Sequence, residues 1–233
     1  MLASERSVTK MPIDWSQYPV DWSMFDDWRA AYDTMSLQDQ IEYHSMFYGR
    51  WPVVHQHGDD RPVVEFFHDL ASEPISVLEI GGWTGDAAQH MLSRHSNIEE
   101  WHNQEICREA VAASIPKDNR YWAAVPQVWP WEMQWPGYNV LFLQHVVEHM
   151  KFDQFKALIA AVPNAKHVFI QSPLENEGLT WEGYPGCHIL EVGWNEIDNA
   201  MAEAGFTLGK TWWDTMYSTA KENGRTRVYH RAV

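Results

Sequence analysis

The chain has 233 residues and a mass of 27.2 kDa, enough for one large domain or two small ones at about 150 residues each. Lys and Arg number 17 against 32 Asp and Glu, a formal net charge of −15, which argues against a nucleic-acid or anionic-membrane partner because both require a basic face. Two cysteines, Cys107 and Cys187, make neither a disulfide framework nor a four-cysteine zinc site. No stretch approaches the about 20 apolar residues of a membrane span, and no apolar run follows Met1–Arg6, so the expected location is cytoplasmic. The 14 tryptophans point either to an aromatic-walled cavity or to an aromatic-rich core.

Residues 1–60 read as an aromatic helical cap on a core of residues 61–233. Trp15, Tyr18, Trp22, Phe25, Trp28 and Tyr32 recur at three- and four-residue steps, interrupted by Pro19. Gln38 to Phe47 is a second short helix. Gly49, Pro52, His55 and Gly58 mark a loop. Such a stripe needs cover, so it is expected to pack over the core as a lid or to form a homodimer contact. Asp59-Asp60-Arg61-Pro62 starts a helix that Glu73-Pro74 ends.

From residue 75 strands and helices alternate. Ile75–Ile80 is an apolar run suited to a buried parallel strand, followed by a glycine turn and a helix over Asp86 to His95. The pattern continues as strand Ile98–Glu105, helix Ile106–Ser114, strand Arg120–Val125, strand Tyr138–Gln144, a helix faced by Phe152, Phe155, Leu158, Ile159 and Val162, and strand Lys166–Gln171. Helix Trp194–Ala204 stops at Gly205. Phe206–Trp213 and Thr226–Arg231 then form a hairpin around Glu222-Asn223-Gly224. This order predicts an α/β fold: a doubly wound seven-stranded sheet, mostly parallel with one antiparallel strand, and helices on both faces.

Ligands of such sheets bind beyond the carboxyl ends of the strands. The first such end is Glu79-Ile80-Gly81-Gly82-Trp83-Thr84-Gly85. It fails the G-x-G-x-x-G dinucleotide pattern in either register and lacks a phosphate-loop lysine, which disfavours a nicotinamide oxidoreductase. Asp86, at the next helix start, repels a pyrophosphate, so the turn suits a ligand that is cationic or neutral there.

Val77 to Gly85 resembles the first motif of class I S-adenosylmethionine-dependent methyltransferases, an acid followed by alternating glycines. Glu79, Gly81 and Gly85 match, and Trp83 replaces the middle glycine, with Gly82 beside it. Tyr138 to His149 resembles the fourth strand and the H-V-L-E-H segment of the small-molecule branch. Trp101 to Ile106 resembles the second strand with its ribose-binding acid, and His188 to Phe206 also looks like that branch. The resemblance covers about residues 62–233 and implies a Rossmann-like fold, S-adenosylmethionine as cofactor and a small-molecule acceptor. It places Glu79, Gly81, Gly82, Trp83, Gly85, Asp86, Glu105, Ile106, Val125 and Gln144 around the cofactor, with Glu105 on the ribose hydroxyls. No acid stands near Val125 to read the adenine amino group, so the ring is expected to rest on Val125, Trp129 or Trp131.

His145 emerges from the end of the fourth predicted strand and is the candidate general base, with His188 on the loop after the fifth as the second catalytic candidate. Three histidines at the predicted mouth favour a hydroxyl over an amine acceptor. Trp122, Trp129, Trp131 and Trp135, stiffened by prolines, either wall the site or pack on one another. Tyr48 and Arg50 are placed to close over the cofactor carboxylate, and His55 and His57 read as solvated. Two alternatives stand beside this reading: a catalytically silent binding protein, and a zinc hydrolase using His145-x-x-Glu148-His149, which requires both histidines on one helix face. No metal is expected.

Overall fold

The computed structural model describes residues 34–48, 61–172, 190, 192–212 and 226–232. The aromatic stripe from Trp15 to Tyr32, Arg50, His55, His57, Cys187, His188 and the turn at Glu222–Gly224 lie outside the described residues. The elements in chain order are α1 (Leu37–Tyr48), α2 (Arg61–Asp69), β1 (Ile75–Ile80), α3 (Asp86–Leu92), β2 (Ile98–Gln104), α4 (Arg108–Ala112), β3 (Tyr121–Ala124), β4 (Val140–Gln144), α5 (Phe152–Ala161), β5 (His167–Gln171), α6 (Trp194–Glu203), β6 (Phe206–Trp212) and β7 (Thr226–Arg231).

The seven strands form one sheet in the order β3-β2-β1-β4-β5-β7-β6. β1 to β5 run parallel, and β7 is antiparallel to both its neighbours. This is the Rossmann-like doubly wound sheet with one antiparallel strand that the sequence pattern predicts. Chain order reverses between β1 and β4. There Ile80 stands level with Gln104 and with Leu143, so the loops after β1, β2 and β4 leave the sheet at one edge.

Alternation splits the core into two layers. One face of the sheet carries Val77, Trp101, Val140, Phe142, Phe169 and Val228 against Phe66 and Phe67 of α2 and Ala87, Ala88 and Met91 of α3. Phe142 stacks on Phe169 at 4.6 Å and Phe67 on Trp101 at 5.1 Å. The other face carries Leu78, Ile80, Leu141, Leu143, Val168, Ile170 and Tyr229 against Phe155, Leu158 and Ile159 of α5 and Trp194, Ile197 and Met201 of α6. β4 is buried on both faces along Val140–Leu143, as a central parallel strand must be. Each such side chain contributes about 1.5–3 kcal/mol by leaving water.

The structure shortens several predicted elements. α4 is five residues where helix is predicted over 106–114, and β4 starts at Val140 where strand is predicted from Tyr138; the Asn139 side chain bonds the Ser76 amide and the Pro74 carbonyl. Trp122 lies in β3, within the strand predicted over 120–125. Its indole stacks on His102, with centroids 3.1 Å apart. Trp129 and Trp131 stack on each other at 4.5 Å, and Trp135 turns inward to donate to the Pro130 carbonyl. His102 lies between two of the four tryptophans, since Trp135 also meets its ring edge-on at 5.3 Å.

Arg120 closes the edge of the sheet. Its guanidinium donates to the carbonyls of Leu92 (2.7 Å), His95 (3.2 Å) and Ile98 (2.9 Å), and to both oxygens of Asp118. Three of these bonds satisfy the end of α3 and the chain entering β2, where carbonyls have no helical partner. Arg120→Ala is expected to lower unfolding free energy by about 2 kcal/mol in chemical denaturation. A change below about 0.5 kcal/mol would assign those carbonyls to water.

Candidate active site

The turn after β1 is built around a buried acid. Glu79 is 1% exposed, on the face that holds Trp101 and Phe142. Trp101 Nε1–H donates to Glu79 Oε2 at 2.7 Å. The chain then passes directly over this carboxylate: a Cβ on Gly82 would overlap it, so only glycine fits there. Gly81 (φ +71) and Gly85 (φ +85) take left-handed backbone, and so does Trp83, with φ +50. Left-handed backbone therefore falls on the residue that stands in place of the motif's middle glycine. Gly82 is required for the acid beneath it.

Glu105, just beyond β2, braces the same turn. Its Oε2 accepts the Trp83 amide N–H at 2.8 Å and its Oε1 accepts the Cys107 amide at 2.7 Å. The Ile106 backbone donates to this carboxylate as well, which leaves one lone pair for a hydroxyl donor. Asn103 ties the turn to β2 from below: its Oδ1 accepts the Gly82 amide at 3.0 Å and its Nδ2 donates to the Trp83 carbonyl at 3.2 Å. Sequence reading missed Asn103. It sits in a strand at a buried position, and only its polarity there marks it. Asp86 opens α3, is buried, and accepts from Thr84 Oγ1 at 3.4 Å.

Three buried carboxylates therefore surround one turn. Among the described residues no Lys or Arg pairs with Glu79 or Glu105, whose partners are N–H groups. Burial pushes the Glu79 carboxyl up to about 8, the Trp101 bond opposing and the Glu105 and Asp86 charges adding. Burial likewise pushes Glu105 up to about 7 against its backbone donors. This donor set fits a ligand with a cationic centre, such as a sulfonium or an ammonium, and a hydroxyl for Glu105. Cys107, beside it, is buried with its thiol pushed up to about 12, which removes it as a nucleophile.

The loop after β4 approaches from the other side. His145 follows β4 directly, its amide donating to the Gln171 carbonyl at 2.7 Å, and it too has left-handed backbone, with φ +54. Val146 packs on the first glycine of the β1 turn: a Cβ on Gly81 would lie 3.0 Å from Val146 Cγ2. His145 is thus held beside the turn. Residues Val147–His149 form one 3₁₀ turn, not the α-helix that the zinc motif needs. Among the described residues no group of three or more His, Cys, Asp and Glu is gathered as metal ligands. His149 meets His44 of α1 edge-on at 6.0 Å, and Ser45 of the same helix accepts the Arg108 amide at 3.1 Å. α1 therefore lies against α4 and the β4 loop.

Of the remaining residues named from sequence, Ile106 lies in the loop between β2 and α4 and Val125 just past β3, both partly exposed at the same sheet edge. Gln144, ending β4, donates to the Gln171 side chain at 2.8 Å. His102, which sequence reading passed over, is buried among Tyr138, Gln104 and Trp122, and burial holds it down to about 3, so it stays neutral.

Solved structures resemble this fold. Magnesium protoporphyrin IX methyltransferase from Synechocystis PCC 6803 with bound SAH is 14% identical, with a TM-score of 0.57 over 89% of this chain and 99% of that one. The same enzyme with bound SAM is 15% identical, with a TM-score of 0.53 over 96% and 100%. The methyltransferase domain of bacterial CtHen1-C is 11% identical, with a TM-score of 0.56 over 76% and 100%. No protein-family model matches the chain, and no curated protein matches it significantly. The likeness is one of fold: the chain has the Rossmann-like sheet of methyltransferases.

An acid whose folded value is raised holds its proton more tightly folded than unfolded. Between the ordinary value of 4.5 and about 8 the folded chain carries the extra proton on Glu79, so its stability falls as pH rises through that window. Buried histidines such as His102, held low, pull the other way, so the test is a difference: the melting temperature of the unliganded wild type minus that of Glu79→Gln should fall between about pH 5 and about pH 8. An equal slope in the variant would place the titration elsewhere.

Proposed function

We propose that this protein is an S-adenosylmethionine-dependent methyltransferase acting on a small-molecule acceptor, more often an oxygen than a nitrogen. The observation that carries the reading is the turn at the β1/β4 reversal, where Glu79, Asp86 and Glu105 are buried and no basic side chain pairs with Glu79 or Glu105 among the described residues. A molecule with a sulfonium, an ammonium and a vicinal diol matches that donor set. The SAH and SAM bound in the structural neighbours support the choice.

The donor, when bound, supplies a methyl group on a good leaving group, so positioning carries most of the rate. Gly81, Gly82 and Gly85 let the backbone approach, with Trp83 forming the turn's crest. Asp86 at the head of α3 and Glu79 beneath Gly82 favour positive charge, and Glu105 takes a ribose hydroxyl. Ile106, Val125 and the stacked Trp129 and Trp131 would border the adenine, and Gln144 the reacting end. His145 is the general base for a hydroxyl acceptor, with His188 as the second candidate on the acceptor side.

Residues 1–60 serve as the cap over this edge. α1 supports that arrangement, since it rests on α4 and meets His149. The net charge of −15 supports an acceptor other than nucleic acid. Among the described residues no helix is long and apolar enough to cross a membrane.

Calorimetry with S-adenosylhomocysteine tests the cofactor. The wild type should bind it, and Gly82→Ala, which drives a methyl group into the Glu79 carboxylate, should bind at least about tenfold more weakly while keeping its circular dichroism. No heat from the wild type would overturn the reading.

Transfer of labelled methyl from the donor to a panel of hydroxylated and amino small molecules then separates an enzyme from a silent binder. His145→Gln should lose about 10²–10⁴ in turnover of a hydroxyl acceptor with cofactor affinity kept. Unchanged turnover would move the base to His188.

A further inference from the structure

We propose that Glu148 is a positioning residue for His145, its carboxylate fixing which ring nitrogen carries the proton and standing as counter-ion when the other takes one up. The inference rests on the reading of His145 as the base.

Three elements converge here. His145 ends the exit from β4, Glu148 sits in the 3₁₀ turn that follows, and Ser172 is the first residue beyond β5, the strand paired with β4. Glu148 is 4% exposed and Ser172 is fully buried. The Ser172 hydroxyl donates to Glu148 Oε2 at 2.5 Å, and the Glu148 carbonyl accepts the Leu190 amide at 3.2 Å. The carboxylate is therefore held at one oxygen and its backbone is anchored. Its other oxygen, Oε1, lies 3.7 Å from His145 Nδ1.

That distance is too long for a hydrogen bond to a neutral imidazole but within reach of an ion pair with an imidazolium. The attraction therefore grows as the ring gains charge, which is when a base needs support. A carboxylate on the Nδ1 side also draws the neutral ring's proton to Nδ1, leaving the lone pair on Nε2. His145 keeps 26% of its side chain exposed, so the ring is open to the site while Glu148 is enclosed behind it. In the step itself His145 Nε2 takes the hydroxyl proton as the acceptor oxygen bonds the methyl carbon. The carbon–sulfur bond breaks with its electron pair left on sulfur, and Glu148 stays ionised throughout.

Ser172 makes the idea testable without an acceptor. In Glu148→Gln the amide oxygen takes the Ser172 hydrogen bond, and a neutral NH₂ on the Nδ1 side replaces the negative charge that holds the proton there. The ring proton is then driven to Nε2, the wrong nitrogen for a base. Protein labelled with ¹⁵N-histidine and loaded with S-adenosylhomocysteine would be examined by long-range ¹⁵N–¹H correlation, with the His145 signals identified by their loss in His145→Gln. The expected result is a proton on Nδ1 in the wild type, on Nε2 in Glu148→Gln, and a mixture in Ser172→Ala, which removes the Ser172 hydrogen bond that orients the carboxylate. S-adenosylhomocysteine affinity should stay within about twofold in both variants.

A proton on Nε2 in the wild type, or an unmoved proton in the variants, overturns the proposal. If Glu148→Gln does not fold, Ser172→Ala alone decides by the same spectrum. If the wild type binds no S-adenosylhomocysteine, the methyltransferase reading fails, and the spectrum of the unliganded protein still settles whether Glu148 orients His145.

Discussion

The edge of this sheet is organised by one costly placement, a carboxylate inside an aromatic layer. Glu79 is buried on the face that carries Trp101 and Phe142, and the Trp101 indole donates to it. Its position dictates the residue above it, because the chain turning over a carboxylate at van der Waals distance has no room for a Cβ at Gly82. It also dictates what surrounds it. Asn103 and Glu105, projecting from the end of β2, take the amides of Gly82 and Trp83, so the turn is fastened to β2 at two successive N–H groups. A buried acid with one donor is destabilising on its own. It persists because the two apolar layers on either side of β1 and β4 supply the stability it subtracts.

Two further costs lie close by. Trp83 and His145 are the two non-glycine residues with left-handed backbone among the described residues. Each departs from ordinary L-residue geometry at a cost of about 1–2 kcal/mol. Both follow strands at the reversal of chain order, and both are held by hydrogen bonds from the neighbouring strand: Trp83 by Glu105, His145 by the Gln171 carbonyl. Strain that recurs at the loops after β1 and β4 is the pattern expected where backbone direction is set by a site rather than by propensity.

The sheet was legible because its central strands are apolar on both faces. Ile75–Ile80, Val140–Leu143 and Val168–Ile170 read as buried parallel strands from composition alone, and the alternation with helices left few topologies to choose from. The turn was legible as a ligand-facing loop because glycines and an acid stand together there. What could not be read was direction. Glu105 looks from sequence like an acid free to meet a ligand, whereas its oxygens first hold the Trp83 and Cys107 amides. Trp122 lies in the strand predicted over 120–125, yet nothing in the sequence says that its indole meets His102. Asn103, His102 and Ser172 carry no motif, and their roles exist only because strands distant in sequence are level in space.

That levelling explains how two loops can act as one site. The β1 turn holds the acids, and the loop after β4 holds the histidine. Nothing in residues 86–144, between Gly85 and His145, forces them to agree. Agreement comes from register: Ile80 pairs with Leu143, so each chain leaves the sheet at the same height, and Val146 then seats on Gly81. Glycine at 81 is needed twice, for the left-handed turn and for the space Val146 occupies. A side chain there would push the β4 loop outward, and with it His145 and the Glu148–Ser172 pair behind the ring. The same contact therefore fixes the shape of the turn and the distance from the turn to the proposed base. In a reaction governed by alignment, an error of about 1 Å in that distance can cost about 10²-fold in rate.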